Sequence, residues 1–202
     1  MYLFGASGHA KVIIDSLKAS GKQISRLFDD NPDVKELLEY SVFGSFGEIR
    51  VGDEELISSI GLNHIRKKIA EKLPENTRFG NAIHPSAIIS EYASLGDGTV
   101  VMQGAVIQSG VSIGKHCIFN TMASVDHDCI IDDYVHISPN ATLCGAVSVG
   151  EGSQVGAGAV VIPEIKIGKW CLVAAGAVVM KDVPDNVVEL GNPAVVVKSI
   201  NK

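Results

Sequence analysis

One histidine in this chain is placed to do chemistry. His127 stands between Asp126 and Asp128, and a carboxylate beside an imidazole orients the ring and raises its pKa, which makes a useful general base near neutral pH. Either flanking acid can play that part. A second group of residues could hold an anion. Gly5, Ala6, Ser7, Gly8 and His9 follow the apolar stretch Tyr2 to Phe4 and precede Val12, Ile13, Ser16 and Leu17 at helical spacing. A strand, a tight glycine loop and a helix in that order present free N–H groups and a helix N-terminus, a cradle suited to a pyrophosphate. About twenty residues on, where a Rossmann-like half carries its ribose-binding acid, Ile24 to Phe28 reads as a second strand ending in Asp29 and Asp30. Gly61 and His64 follow a third apolar segment, Leu56 to Ile60, and are expected at the same carboxyl edge as Ser7, His9 and Asp29.

The element that must position His127 is a repeat. From Ile83 to about Pro184 an aliphatic residue returns every six positions without an insertion: Ile83, Ile89, Leu95, Val101, Ile107, Ile113 and onward to Val179, with Phe119 the one aromatic substitute. Four residues after each comes something small or β-branched, among them Ala87, Ala105, Cys117, Ala123 and Cys129. A period of six fits neither the 3.6 of an amphipathic helix nor strict alternation. It is the hexapeptide repeat of a parallel β-helix, in which one side chain per hexad points into a narrow prism and each corner needs a small residue. The chain is thus expected to hold an α/β Rossmann-like nucleotide-binding domain over residues 1–78 and an all-β parallel β-helix over residues 79–202. Residues 34–53 mix helix formers with glycine and suggest no element. Asn63 to Ile69 reads as a basic helix with Lys67 and Lys68 on a solvated face.

Three hexads close one coil of eighteen residues, which fixes two relations. Gly145 lies one coil beyond His127 and should sit directly above it, leaving room near the backbone. His136 lies half a coil away and faces another direction, so the two histidines are expected to meet only across an interface between subunits. His127 is the third residue of its hexad and points outward.

Composition sets the outer bounds. A net charge of −6 argues against a nucleic-acid or anionic-membrane surface. The apolar N-terminus is too short and interrupted for a signal peptide or membrane span, so a cytoplasmic protein is expected. Cys117, Cys129 and Cys171 occupy small-residue positions, Cys144 follows an aliphatic one, and no CxxC pair is present. These read as core residues in a reducing compartment, not as a zinc site.

The loop GASGH with the later DD, the segment GLNHIRKKI, the run NTMASVDHDCIIDDYVHISPNATLCG and the closing VVMKDVPDN and GNPA together resemble the hexapeptide-repeat acyltransferases that acetylate bacterial sugars. The similarity is greatest to N-acetyltransferases of nucleotide-linked 4-amino sugars of the UDP-N-acetylbacillosamine type, and the broader group includes sialic acid O-acetyltransferases. The resemblance implies a homotrimer of left-handed β-helices with acetyl-CoA bound between subunits and no metal. It implies that His127 is the general base and Asp128 its supporting acid. Asn120, His136, Gly145, Ala157 and Lys166 would contact acetyl-CoA. Ser7, Gly8, His9, Asp29, Asp30, Gly61 and His64 would line the nucleotide-sugar pocket. Relatives of the bacillosamine type carry Glu where this chain has Asp128, and His64 replaces an acid found in some of them. The implied reaction is direct acetyl transfer to the amine of a 4-amino-4,6-dideoxy sugar, UDP-linked in that type.

Three other readings use the same residues. An O-acetyltransferase would pair His127 with a hydroxyl nucleophile. A non-catalytic nucleotide-binding scaffold would need only the N-terminal loops. A metal hydratase would need His116, His127 and His136 to converge, yet they occupy different hexad phases.

Overall fold

The computed structural model describes residues 1–44 and 54–200. Its first unit is a five-stranded sheet in the order β3 (Glu36–Leu37), β4 (Tyr40–Phe43), β2 (Arg26–Phe28), β1 (Tyr2–Phe4), β5 (Leu56–Ser58). Strands β1 (Tyr2–Phe4), β2 (Arg26–Phe28) and β5 (Leu56–Ser58) run parallel, with Phe4 opposite both Phe28 and Ser58. This register brings the loops that follow them to one edge, as a Rossmann-like reading requires. Strands β3 (Glu36–Leu37) and β4 (Tyr40–Phe43) form an antiparallel pair at the far side, in the stretch that the sequence left unassigned; residues 45–53 of that stretch lie outside the described residues.

Helix α1 (Gly8–Ala19) buries Ile13, Ile14 and Leu17. These residues pack with Leu3 of β1 and with Ala82, Val100 and Ile118 of the second unit. Helix α2 (Asn63–Lys72) buries Asn63, Arg66 and Ile69, an unusual set, because two of the three are polar.

The second unit is a left-handed parallel β-helix. Its strands, from β6 (Ala82–Ile83) to β22 (Val178–Val179), are two residues each, and the hexad aliphatic residue is the second of every pair. Strands three apart in sequence pair in parallel at a separation of eighteen residues, as Val125 with Leu143 or Ile137 with Val155. The pairing generates three faces. The first contains β6, the second β7 (Ile88–Ile89) and the third β8 (Ser94–Leu95), each extended by every third strand thereafter. The inward column is dry: Phe119, Val125, Ile137, Leu143 and Val155 are all fully buried, and burial of such side chains contributes about 1.5–3 kcal/mol each.

The corners follow one rule. From Gly98 to Gly176 the fourth residue of the hexad takes a left-handed conformation whether or not it is glycine, at His116, Met122, Asp128, Tyr134 and Asn140 as at Gly104 and Gly110. A left-handed non-glycine residue costs about 1–2 kcal/mol, which the stacked ladder on either side offsets. Asp128 is such a corner residue, with φ 59°. A hairpin that the hexads did not announce, β23 (Val187–Gly191) with β24 (Ala194–Ser199), continues the first face at the C-terminal end.

The N-terminal unit lies on the first face. The outward row there runs Ala82, Val100, Ile118, His136, Gln154, Leu172; the first four are covered, whereas Leu172 is 38% exposed.

Candidate active site

His127 occupies the edge between the second and third faces, in the corner after β13 (Ser124–Val125). The backbone pins it on both sides: its N–H donates to Asp126 Oδ1 at 2.8 Å, and its carbonyl accepts from the Ala146 N–H at 2.9 Å. The ring Nδ1 lies 2.9 Å from Asp128 Oδ2. Of the two acids that the sequence left open, Asp128 therefore holds the ring and Asp126 the backbone. With Nδ1–H donated to a carboxylate, Nε2 is the unprotonated nitrogen and is free to accept a proton. The His127 pKa is raised, first by the Asp128 hydrogen bond and then by the Asp126 charge.

Two glycines make room for this pair. A Cβ on Gly145, one coil above, would lie 2.7 Å from Cε1 and Nε2 of His127. The ring itself thus fills the space that the eighteen-residue period placed beneath Gly145. A Cβ on Gly110, one coil below, would lie 2.5 Å from Asp128 Oδ1.

The nucleotide-loop residues sit on the other side of the molecule. Ser7 is the N-cap of α1, yet its hydroxyl makes no capping bond, and Ser7 and Gly8 are exposed. The N-terminus of α1 is therefore open to an anion. Asp29 reaches back across the loop: Oδ2 accepts from the Ala6 N–H at 2.6 Å and Oδ1 from the Asn31 N–H at 2.8 Å. Both carboxylate oxygens shape the loop, a role the spacing alone did not suggest, while Asp30 is exposed. His9 lies against Gly61, and its ring centroid is 6.4 Å from that of His136. The His136 Nε2 in turn is 3.2 Å from Asn120 Nδ2. His9, Gly61, His136 and Asn120 thus form one cluster where the N-terminal unit meets the first face.

Both imidazoles there are held neutral. Burial and then the Arg66 charge push His9 down to about 4. Burial, Arg66 and His9 push His136 down to about 3, and the Gly61 backbone, short of hydrogen-bonding geometry, opposes the shift. His9 Nε2 and His136 Nδ1 are buried without a hydrogen-bond partner.

The remaining expected residues are not gathered at one place in the chain. His64 is exposed and opens on a separate cleft of about 570 Å³, shared with Leu62, Lys67, Gln154, Trp170 and Leu172. Ala157 lies on the edge between the first and second faces and Lys166 on the third face; both are exposed. His116, His127 and His136 stand on the third–first edge, the second–third edge and the first face respectively, too dispersed to share a metal. Among the described residues no group of three ligating side chains converges. Burial pushes the Cys117 and Cys129 thiols up to about 12 and about 11, which leaves them protonated and poorly nucleophilic.

Sequence reasoning missed the seam residues. Lys67, expected on a solvated face, pairs with Glu151 and sits over the rings of Tyr134 and Trp170 at 5.9 and 5.5 Å. Asn63 Nδ2 donates to the carbonyls of Gly152 and Ser153 at 3.0 and 3.2 Å. Those partners lie at least 67 residues away along the chain, so no local pattern could have marked them.

Comparison with known proteins agrees with this architecture. Residues 1–73 match the family described as PglD N-terminal domain, and residues 146–181 the bacterial transferase hexapeptide (six repeats). The chain is 34% identical over 120 residues to the GDP-perosamine N-acetyltransferase of Escherichia coli O157:H7, across 57% of this chain and 54% of that one. It is 44% identical over 107 residues to the UDP-N-acetylbacillosamine N-acetyltransferase of Bacillus subtilis, across 50% of each. These alignments span about half the length of either relative. The fold matches that of a perosamine N-acetyltransferase from Caulobacter crescentus in complex with CoA and GDP-perosamine, with a TM-score of 0.93 and 38% identity over 98% of this chain and 96% of that one.

Proposed function

Because the chain belongs to the bacterial hexapeptide transferases that carry a PglD-type N-terminal domain, we propose that it moves the acetyl group of acetyl-CoA onto the amine of a nucleotide-linked 4-amino-4,6-dideoxy sugar. The observation that carries this reading is the outward imidazole of His127, held at Nδ1 by Asp128 with Nε2 free. As the neutral sugar amine attacks the thioester carbonyl, Nε2 takes its proton, the carbon–sulfur bond breaks, and CoA leaves as a thiolate that is reprotonated. The buried, protonated cysteines give no support to a covalent acyl-enzyme, so transfer is direct, within a ternary complex.

The nucleotide moiety binds over residues 5–9, its phosphates at the open N-terminus of α1. The neutral, buried rings of His9 and His136 form the wall behind the sugar end of this pocket. Relatives of both kinds, GDP-linked and UDP-linked, resemble the chain; the full-length likeness to an enzyme bound to GDP-perosamine makes a GDP-linked acceptor the first to try, with the UDP-linked one beside it.

One protomer does not complete the site. His127 stands on the edge opposite the face that the N-terminal unit covers, so the base must come from a neighbouring copy. A closed ring of three prisms brings the edge of one against the covered face of the next. Ile88, Tyr92, Met122 and Ile130 lie 66%, 73%, 57% and 55% exposed along the second and third faces and their edges; they supply apolar area for such contacts.

CoA release against GDP- and UDP-linked 4-amino sugars, with sialic acid as a hydroxyl control, tests the reading. Turnover is expected on an amino sugar and should fall about 10²–10⁴-fold in His127→Ala. Acetylation of the hydroxyl control alone, or an unimpaired His127→Ala enzyme, would overturn it.

A further inference from the structure

The largest fully buried side chain among the described residues is a cation that the transfer chemistry does not use. Arg66, on α2, is 1% exposed. Its Nε donates to the His116 carbonyl at 2.8 Å, Nη1 to the carbonyls of Ile60 and Gly61 at 3.0 and 3.2 Å, and Nη2 to the Tyr134 carbonyl and Asn63 Oδ1, both at 2.9 Å. Every acceptor is neutral, and none of the described carboxylates pairs with it. Desolvation draws its pKa down to about 10. Withdrawing a guanidinium from water without a counter-ion is expensive, and an apolar residue of similar volume would often serve the fold better. What the fork holds together accounts for its presence.

On one side are Ile60 and Gly61, which begin the loop after β5 at the carboxyl edge of the sheet. On the other are the corner carbonyls of His116 and Tyr134, one coil apart on the third–first edge. One planar group thereby fixes a loop of the nucleotide unit to two successive coils of the β-helix. Gly61 backs His9, with Cγ 3.8 Å from where a Cβ would stand, and neighbours His136.

We infer that Arg66 is a positioning residue for the nucleotide-sugar pocket. It holds the loop of Ile60 and Gly61, and through it His9 and His136, at a fixed height on the β-helix, so that the sugar presents its amine where a neighbouring copy's His127 can reach. The inference rests on the acetyl-transfer reading above. Lysine, a point charge with three donors, cannot reproduce a fork that reaches five acceptors.

The test uses Arg66→Lys and Arg66→Met in the full chain, with two measurements. In steady-state kinetics the KM for the nucleotide sugar is expected to rise about tenfold in Arg66→Lys, with the KM for acetyl-CoA changed less than about twofold and the acid limb of the His127 profile unmoved. In calorimetry, GDP and UDP serve as probes that need no turnover, and the nucleotide that wild type binds should bind about tenfold more weakly. A lowered melting temperature with both KM values unchanged would make Arg66 a fold residue only and overturn the inference. So would a parallel rise in both KM values, which signals general loosening. Should Arg66→Met not fold, Arg66→Lys decides alone. If wild type acetylates no acceptor yet binds a nucleotide, the transfer reading fails while calorimetry still judges Arg66: weaker binding in Arg66→Lys upholds its part in the pocket, and equal binding refutes it. Wild type that binds neither nucleotide overturns both.

Discussion

His127 and His136 lie nine residues apart in one run of hexads, yet the fold makes them opposite chemical groups. His127 stands 60% exposed on a bare edge with its pKa raised by an acid beside it. His136 is roofed over on a face, its pKa pushed to about 3. Nothing in the ring differs; what differs is position on the prism. A corner residue takes its surroundings from its immediate neighbours and the coils above and below. A face residue takes them from whatever docks on the face. The β-helix thus separates an exposed imidazole with a raised pKa from a buried neutral one by half a coil.

The sharpest way to break this contrast is at the glycine above the base. Gly145 is not in the left-handed region, so Gly145→Ala is permitted by the backbone, but its methyl would occupy the space of the His127 ring. Misplacement of a catalytic group by about 1 Å can cost about 10²-fold in rate. We expect kcat to fall by that order while the melting temperature holds; an unchanged kcat would show that the ring does not act from this orientation.

Asp128→Asn should have a smaller effect and a diagnostic pH signature. Asparagine accepts the left-handed corner, so the fold survives. The base must be unprotonated, so the rate rises with pH through the His127 pKa, which Asp128 holds above 6.5. Without that carboxylate the acid limb should move to lower pH, toward 6.5, and the plateau should drop about tenfold as the base weakens and loses its orientation. A limb that stays in place would assign the raised pKa to Asp126 instead.

The buried histidines predict the mildest effect, on stability. His9, His116 and His136 are neutral when folded, with pKa values of about 4, about 4 and about 3, below the unfolded value of about 6.5. The unfolded chain therefore binds more protons as pH falls below 6.5, and stability should decline from there toward pH 4. All three lie where the N-terminal unit meets the coils, whereas the prism interior holds aliphatic side chains, Phe119, cysteines and the small hydroxyls of Thr99 and Ser153, none of which titrates in this range. Amide exchange at pH 5 should open the contact between the units before the coils; uniform opening would contradict the separation.

The coils were legible because each hexad restates the same demand on one side chain, and even Phe119 keeps its phase. The Gly145–His127 stacking followed from the period alone. The left-handed corners were not legible, since His116, Met122 and Trp170 occupy positions that propensity assigns to glycine. Nor was the role of Asp29 as a latch on the glycine loop, because spacing shows where an acid falls and not what it touches. Arg66, Asn63 and Lys67 escaped for a related reason: their hydrogen-bond partners on the coils lie from fifty to ninety residues along the chain. A run reading HIRKKI looks like a wet helix until the surface it lies on is known.

Trp170 is the only tryptophan in the chain, and Lys67 of α2 rests over its ring. The protein thereby carries a native optical reporter at one defined place, where the cleft beside α2 ends. Emission from the unlabelled, unmodified chain registers movement of the N-terminal unit away from the coils and stays silent to events elsewhere along the prism.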